Sequence, residues 1–119
     1  MANTQINRDY LNAYKAISDP NRIRIIKMLE NRELCLCEIR AVLKLSSSTV
    51  SKHLTILRDA RLIIDSKDGK WVNFKLNTSG NRFIRTLLKS VGESFKDDET
   101  VLEDQYNVKR ADRKKICGI

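Results

Sequence analysis

The stretch LSSSTVSKHLTILRDARLIIDSKDGKWVNFKL, at residues 45–76, decides the fold. In its first half, apolar residues recur at the spacing of one helix face, and these residues are Val50, Leu54 and Leu57. Ser46 precedes them, and serine is a favoured N-cap residue because its hydroxyl accepts from a free backbone N–H of the first turn. The pattern therefore predicts a helix that Ser46 caps and that extends to about Asp59.

The second half of this stretch has the pattern of a β-hairpin. Apolar side chains alternate with others over one run, with Val72, Phe74 and Leu76 on one face and Trp71, Asn73 and Lys75 on the other. This period of two is typical of a half-buried strand. Asp68-Gly69 precedes the run, and such a pair favours a two-residue turn because glycine tolerates a positive φ. We predict a hairpin here, with the apolar residues inward.

A shorter helix is predicted just before Ser46. Ile39, Val42 and Leu43 fit the buried face of a helix over residues 38–43, and the segment 44–46 connects it to the next helix. Two helices joined by so short a connection form a helix-turn-helix, and a hairpin directly after it makes a winged helix-turn-helix. The predicted fold class is therefore mainly α with a small β-hairpin.

Three further helices are expected outside this unit. Residues 10–17 carry apolar side chains at helical spacing, and Asp19 and Pro20 are typical of the cap and first turn of a second helix. After the hairpin, Thr78 or Ser79 is predicted to cap a last helix. Its apolar face consists of Phe83, Ile84, Leu87, Leu88 and Val91. Beyond residue 92 the periodicity fades, so we expect a frayed extension or flexible arm there.

The charge of the chain is unevenly distributed. The 119 residues include 23 Lys and Arg against 15 Asp and Glu, a formal net charge of +8. Residues 40–85 hold ten basic and three acidic residues, whereas residues 93–104 hold six acids and one lysine. A basic middle predicts a polyanionic partner such as nucleic acid, although an ordinary solvated surface is the alternative. With no signal-peptide pattern and no membrane-length apolar run, we expect a soluble, cytoplasmic protein.

The helix after Ser46 presents a polar face that suits double-stranded DNA. The residues of this face are Ser47, Ser48, Thr49, Ser51, Lys52 and Thr55. Short hydroxyl side chains let a helix approach the floor of the major groove and bond to bases or phosphates. Lys67 and Lys70 would place two charges at the hairpin tip. His53 is either a phosphate contact or a packed structural histidine.

Cys35 and Cys37 lie two residues apart in the segment ELCLCEI. On a regular helix, residues at this spacing point in nearly opposite directions, so two fully helical thiols could not hold one ion. They could do so at a helix N-terminus, where Cys35 lies in the entering strand or cap, and where the helix dipole favours the thiolate. The alternative is that both are small buried hydrophobic residues.

The chain resembles the ArsR-type family of small bacterial metal-responsive repressors over roughly residues 10–91. Three motifs carry the resemblance: SDPNRIRII, ELCLCEI, and LSSSTVSKHLTILRDARLI followed by the hairpin. The resemblance implies a homodimer, formed through the first and last helices, that binds operator DNA and leaves it when metal binds. Residues 1–92 would then be the DNA-binding and dimerisation domain, and residues 93–119 a charged C-terminal extension or tail.

The segment ELCLCEI resembles the arsenic- and antimony-sensing branch of this family, which implies As(III) or Sb(III) as inducer and three sulfur ligands. Where that branch often has a third cysteine, this chain has Arg40, so either two thiolates suffice or Cys117 supplies the third sulfur. Thiolate ligation also leaves Cd(II), Pb(II), Cu(I) or thiol oxidation as alternative signals.

The sequence gives no support for an enzyme. It contains one histidine, no phosphate-binding loop and no acid–base pair around a pocket motif, so we predict a protein that is not an enzyme. A protein-interaction module is the remaining alternative, in which the acidic residues 97–104 would bind a basic partner.

Overall fold

The structure is a computed structural model, and it describes residues 5–111. Its elements in chain order are α1 (Arg8–Ala16), α2 (Pro20–Leu29), β1 (Leu34–Cys35), α3 (Leu36–Leu43), α4 (Ser47–Asp59), β2 (Ile63–Asp68), β3 (Trp71–Leu76), α5 (Arg82–Ser94) and α6 (Glu99–Arg110). The predicted winged helix-turn-helix, mainly α with a small hairpin, is confirmed in α3, α4, β2 and β3. None of these described helices is long and apolar enough to cross a membrane.

The predicted caps of α2 and α4 are confirmed. Asp19 accepts from the backbone N–H of Asn21 at 2.8 Å and of Arg22 at 3.1 Å. Ser46 accepts from the N–H of Thr49 at 3.2 Å. The turn before α4 depends on Lys44, whose left-handed backbone conformation (φ 58°) ends α3. The sequence therefore determines both ends of the helix-turn-helix connection locally.

The cap predicted for α5 is wrong. Asn81, rather than Thr78 or Ser79, caps this helix by accepting from the N–H of Ile84 at 2.9 Å. The earlier residues lie in a turn that ends the hairpin, in which the N–H of Gly80 donates to the carbonyl of Asn77 at 3.2 Å. Asparagine is as good a cap as serine, so the choice between them depends on where the preceding turn ends.

The sheet has a third strand that the sequence pattern did not reveal. The strand order is β1-β3-β2, and Leu34 and Cys35 of β1 pair with Phe74 and Asn73 of β3. Because β1 is only two residues long, it covers β3 only at this one point. The short strand that contains the first cysteine is therefore hydrogen-bonded directly to the wing.

Two details of the predicted hairpin are wrong. The loop is Gly69-Lys70 between the paired Asp68 and Trp71, one residue later than predicted, and Gly69 adopts the positive φ of 63°. The face assignment holds for Phe74 and Leu76, which pack against the core, but not for the two residues before them, because Asn73 is 7% exposed whereas Val72 is 41% exposed. Asn73 lies between β1 and β2, but Val72 lies beyond the end of β1.

The core is formed where α2, α3, α4 and the base of the hairpin meet. Its most deeply buried side chains are Ile25, Ile26, Met28, Leu34, Ile39, Val50, Leu57, Leu62 and Ile63. Several of them belong to the predicted inner faces of α3 and α4. Burial of a side chain of this kind contributes about 1.5–3 kcal/mol, so this shared core fixes the orientation of α4 against α3.

Helix α6 was not predicted from the sequence, which indicated only a frayed extension. It packs against α2 and α3, with Val101 and Val108 buried. Arg24 of α2 forms a two-pronged ion pair with the buried Asp104, with N–O distances of 2.7 and 2.9 Å. This hydrogen bond with Asp104 raises the pKa of Arg24 further above its usual value. The ion pair fastens α6 to the helix that precedes the helix-turn-helix.

Candidate functional site

The polar face of α4 is exposed in the structure. The exposed side chains are Ser47, Ser48, Thr49, Ser51, Lys52 and Thr55, which are the six residues that the sequence assigned to this face. The opposite face is buried, since Val50, Leu54 and Leu57 are 0–3% exposed. Two of the hydroxyl groups are already positioned by the cap, because Ser46 Oγ lies 3.2 Å from Ser48 Oγ and donates to Thr49 Oγ1 at 2.9 Å. A role of this face in DNA binding stays a prediction.

The wing presents its two predicted lysines next to this face in the fold. Lys67 and Lys70 are both exposed near the hairpin tip. The base of the wing is connected to α4 by Arg58, whose guanidinium lies 3.5 Å from Asp65. Both partners of this ion pair are about half exposed, so the contribution is at the level of a surface pair, about 0–1 kcal/mol. This pair places the end of α4 next to the base of the wing.

His53 is half-buried, whereas Ser51 and Lys52 just before it are exposed. Its Nδ1 atom lies 3.2 Å from Nη1 of Arg22, a residue of α2. This fixed intramolecular partner supports the interpretation of His53 as a structural histidine, and the phosphate contact stays a prediction. The other nitrogen has no bonding partner among residues 5–111.

The two thiols occupy different positions at the start of α3. Cys35 ends β1, adopts an extended conformation and is the N-cap residue, whereas Cys37 is the second residue of the helix. Cys35 is 4% exposed and Cys37 is half-buried. The predicted placement of Cys35 in the entering strand or cap is confirmed. Helix α3 begins at Leu36, two residues earlier than expected.

The start of α3 is a capping box in which a thiol takes the place of the usual hydroxyl. Glu38 accepts from the backbone N–H of Cys35 at 2.9 Å, and the Cys35 side chain accepts from the N–H of Glu38. Sulfur is a weak acceptor, so this half of the cap costs little to break. The carboxylate of Glu38 is buried and also accepts from Arg32 at 2.8 Å.

Arg32 connects this cap to the end of α6. Its Nη2 atom also donates to the carbonyls of Val108 at 3.2 Å and Ala111 at 3.5 Å. Cys117, the third predicted ligand, lies outside the described residues.

The described residues alone do not form a three-ligand metal centre. Within residues 5–111, no group of three or more His, Cys, Asp or Glu side chains is arranged to hold a metal ion. The donors present are the two thiols, one buried in the cap and one beside it. Within the described residues, this segment therefore offers two sulfur ligands.

Sequence reasoning missed Arg32, Glu38 and Asn73, which surround the first cysteine. The spacing of Cys35 and Glu38 is that of a capping box, S/T-x-x-E, with cysteine in the first place, so the cap signal was present in altered form. Arg32 and Asn73 left no comparable signal, because their roles depend on contacts with α6 and on strand pairing.

Comparison with known proteins identifies the relatives of this chain. The model of the family described as "Bacterial regulatory protein, arsR family" matches residues 19–65. The arsenic resistance transcriptional regulator ArsR1 of Pseudomonas putida is 33% identical over 79 residues, 66% of this chain and 62% of the relative. The arsenical resistance operon repressor of Bacillus subtilis is 31% identical over 75 residues, 62% of this chain and 71% of the relative. The match thus spans less than two-thirds of the P. putida protein.

A solved structure supports the same conclusion. Reduced HlyU from Vibrio cholerae N16961 superimposes with a TM-score of 0.61 and 26% identity, over 72% of this chain and 87% of HlyU. The fold is a winged helix-turn-helix, as in HlyU. The chain belongs to the arsR family of bacterial regulatory proteins.

Proposed function

We propose that this protein is a repressor that binds operator DNA as a homodimer and is released when As(III) or Sb(III) binds Cys35 and Cys37. One observation carries the proposal: the weakly capped thiol segment, the exposed hydroxyl face of α4 and the lysine-tipped wing form one connected unit. Helix α4 would enter the major groove with its hydroxyl face, and the wing lysines would contact flanking phosphates.

An exposed aromatic patch on α1 and α5 supports the dimer. Tyr10 is 43% exposed and Tyr14 is 51% exposed, although both rings contact Phe83 of α5. The ring centroids are 3.9 Å apart for Tyr10 and Phe83, and 5.5 Å apart for Tyr14 and Phe83. Ile6, just before α1, is 64% exposed. Exposed apolar side chains grouped in this way are typical of an interface.

The inducer chemistry requires no electron transfer. Each thiol would form an As–S bond and displace one hydroxyl of arsenous acid, which leaves as water with the thiol proton. Cys35 and Cys37 supply two sulfurs, and Cys117 is proposed as the third. The names of the P. putida and B. subtilis relatives refer to arsenic resistance, which favours this inducer over others.

Release from DNA would follow from loss of the cap. An inducer that draws the Cys35 sulfur toward Cys37 would move it away from the N–H of Glu38, so the first turn of α3 would lose one of its capping bonds. Two neighbours would respond: α4, which packs on α3, and β3 of the wing, which pairs with Cys35. Since both belong to the proposed DNA surface, inducer and operator would weaken each other's binding by the same factor.

Serine substitution at the two cysteines tests this proposal. Cys35→Ser keeps a good N-cap but removes the sulfur, so the variant should fold and bind operator DNA. Fluorescence anisotropy with a labelled operator should show that As(III) releases the wild type but neither Cys35→Ser nor Cys37→Ser. Absorbance of the arsenic–thiolate bond in Cys117→Ser would show whether a third sulfur binds. Normal release of the double cysteine variant would refute the assigned site.

Another inducer would also suit this site, because the described residues offer only two thiols at one place. Cd(II), Pb(II), Cu(I) or oxidation of the thiols would use the same segment. The oxidation alternative has the additional support that the V. cholerae relative is described as reduced. Release curves for these ions and for a peroxide would decide, and a stronger response than that to As(III) would identify the signal.

A further inference from the structure

Arg22 connects the end of α1 to the recognition helix. Its Nε atom donates to the carbonyl of Ala16 at 2.6 Å, and its Nη2 atom lies 3.4 Å from the carbonyl of Lys15. Both carbonyls belong to the last turn of α1, where carbonyls have no N–H partner within the helix. The third contact of the guanidinium, at 3.2 Å, is Nδ1 of His53 on α4.

The chemistry of this contact determines which ring nitrogen of His53 carries the proton in the neutral form. A guanidinium has only donors and stays charged in proteins, so His53 Nδ1 must be the acceptor. In the neutral ring the proton then belongs to Nε2. Among residues 5–111, Nε2 has no partner, and no buried side-chain nitrogen or oxygen lacks one. It follows that Nε2 reaches the molecular surface, next in sequence to the exposed Lys52.

We propose that Arg22 is a positioning residue that holds His53 in its Nε2–H form and thereby gives α4 a directed donor for a DNA phosphate. The inference rests on the proposed DNA binding and assigns a residue outside the helix-turn-helix to it. Lys52, the preceding residue, would supply positive charge near this phosphate, whereas His53 would supply one hydrogen bond of fixed direction. The link also joins α4 to α1, which carries the proposed dimer interface, so the spacing of two recognition helices would depend on it.

Nitrogen NMR of the imidazole tests the first half of the proposal in the free protein. The wild type should show His53 as the neutral Nε2–H tautomer, and Arg22→Ala should show a mixture of tautomers. A wild-type ring protonated mainly on Nδ1 would overturn the proposal. Lys109→Ala, which removes an equal charge from an exposed position of α6, should leave the His53 signals unchanged.

Two isosteres of His53 test the second half. The probe is an operator selected by the wild type from a random-sequence duplex library. In His53→Asn the amide oxygen can replace Nδ1 as acceptor for Arg22, but the donor at Nε2 is lost. In His53→Gln the amide nitrogen can reach the place of Nε2. One neutral hydrogen bond corresponds to roughly a 3–10-fold change in affinity. Because the dimer loses one such bond in each chain, we expect roughly a 10–100-fold loss of affinity in His53→Asn and a smaller loss in His53→Gln.

The Arg22 variant separates positioning from direct contact. Arg22→Ala should lose about as much affinity as His53→Asn, and the double variant should lose no more than either alone. The slope of log affinity against log salt should stay the same, whereas loss of a phosphate contact by Arg22 itself, once in each chain of the dimer, would reduce it by up to about 1.8. A reduced slope, or wild-type affinity in His53→Asn, would overturn the proposal. If the wild type binds no DNA, the proposed function fails as well, while the NMR result still decides the tautomer.

Discussion

At the scale of single residues, Glu38 supports the start of α3. Its buried carboxylate accepts from the Cys35 N–H on one oxygen and from Arg32 on the other. A buried carboxylate is stable only with such partners, because burial without them costs several kcal/mol. Glu38 thus holds the first cysteine in place while the sulfur itself contributes only a weak bond. The first turn of α3 therefore has one strong capping bond, through Glu38, and one weak bond, through the sulfur of Cys35.

Replacing Glu38 should loosen the cap and expose the thiol. We expect Glu38→Ala to lower the free energy of unfolding by about 1–3 kcal/mol, and to speed the reaction of Cys35 with a thiol reagent. Glu38→Gln keeps an oxygen acceptor for the Cys35 N–H, so it should lose less. Urea denaturation and stopped-flow thiol labelling measure the two effects.

The matched control for this prediction is Glu93→Gln, at an exposed position of α5 whose ion pair with Lys96 is 3.9 Å long. It should change neither quantity, since surface pairs contribute little. If Glu38→Ala left the labelling rate of Cys35 at the wild-type value, the carboxylate would not be what shields the thiol.

Individual residues also show where prediction from the sequence succeeds and where it fails. Asp19 and Ser46 were predicted as caps because each cap bond joins residues two or three apart, so a local pattern contains all the partners. Asn73 was misassigned because its burial depends on pairing with Cys35, 38 positions earlier in the chain. The site was predictable in its local parts, the α4 face and the cysteine pair, and unpredictable where α6 and β1 complete it.

At the scale of elements, α6 packs on α2 and α3, and its inward face has an ion pair with a distant residue. Between its buried residues Val101 and Val108, the position that faces the core is the acidic Asp104. A charged residue at an inward position breaks the apolar period, so the pattern indicated no amphipathic helix. Arg24 compensates for this charge from 80 positions away. The sequence of α6 by itself does not contain that information.

Loss of the ion pair should detach α6 locally. We expect Asp104→Asn to weaken the protection of α6 amides by about 1–2 kcal/mol, a value reduced because Arg24 is partly exposed and can be hydrated. Amides of α4 should keep their protection. Hydrogen-exchange mass spectrometry resolves the two helices, and equal losses in both would show instead that the whole fold is destabilised.

The pH dependence of this effect follows from the sign of the pKa shift. Asp104 raises the pKa of Arg24, so the stabilisation is fully present below the unfolded-state pKa of arginine. It is lost only as the pH rises through the still higher folded-state value. As far as Arg24 is concerned, the exchange protection of α6 should be the same at pH 7 and pH 9. A decrease over this interval would mean that another group controls the docking of α6.

At the scale of the whole molecule, the basic surface should determine the salt dependence of DNA binding. Removal of Lys67 and Lys70 eliminates four charges per dimer, and each lost phosphate contact reduces the salt slope by about 0.9. The double alanine variant should therefore show a slope smaller by up to about 3.6, with little change in stability. Anisotropy titrations at several salt concentrations measure this, and Lys109→Ala is the control. An unchanged slope would place the wing away from the DNA.

The final prediction concerns the association of two chains. Tyr14 and Tyr106 are both exposed tyrosines, at 51% and 57%, but Tyr14 belongs to the aromatic patch of α1 and α5, whereas Tyr106 lies on α6 beside Arg110. A carboxylate at position 14 would be buried without a counter-charge in the proposed interface, and this would cost more than the association can offset. Tyr14→Glu should therefore sediment as a monomer, and Tyr106→Glu as a dimer.

The same variants connect assembly to function. A monomer contacts one half-site and loses the second set of contacts, so Tyr14→Glu should bind operator DNA at least about 100-fold more weakly, the lower range of the advantage that linked binding sites gain. It should still fold, because Tyr14 is 51% exposed within the chain and meets Phe83 edge-on. If Tyr14→Glu remained a dimer, the interface would have to be assigned to another surface, and α6 with Tyr106 and Leu102 would be the next one to test.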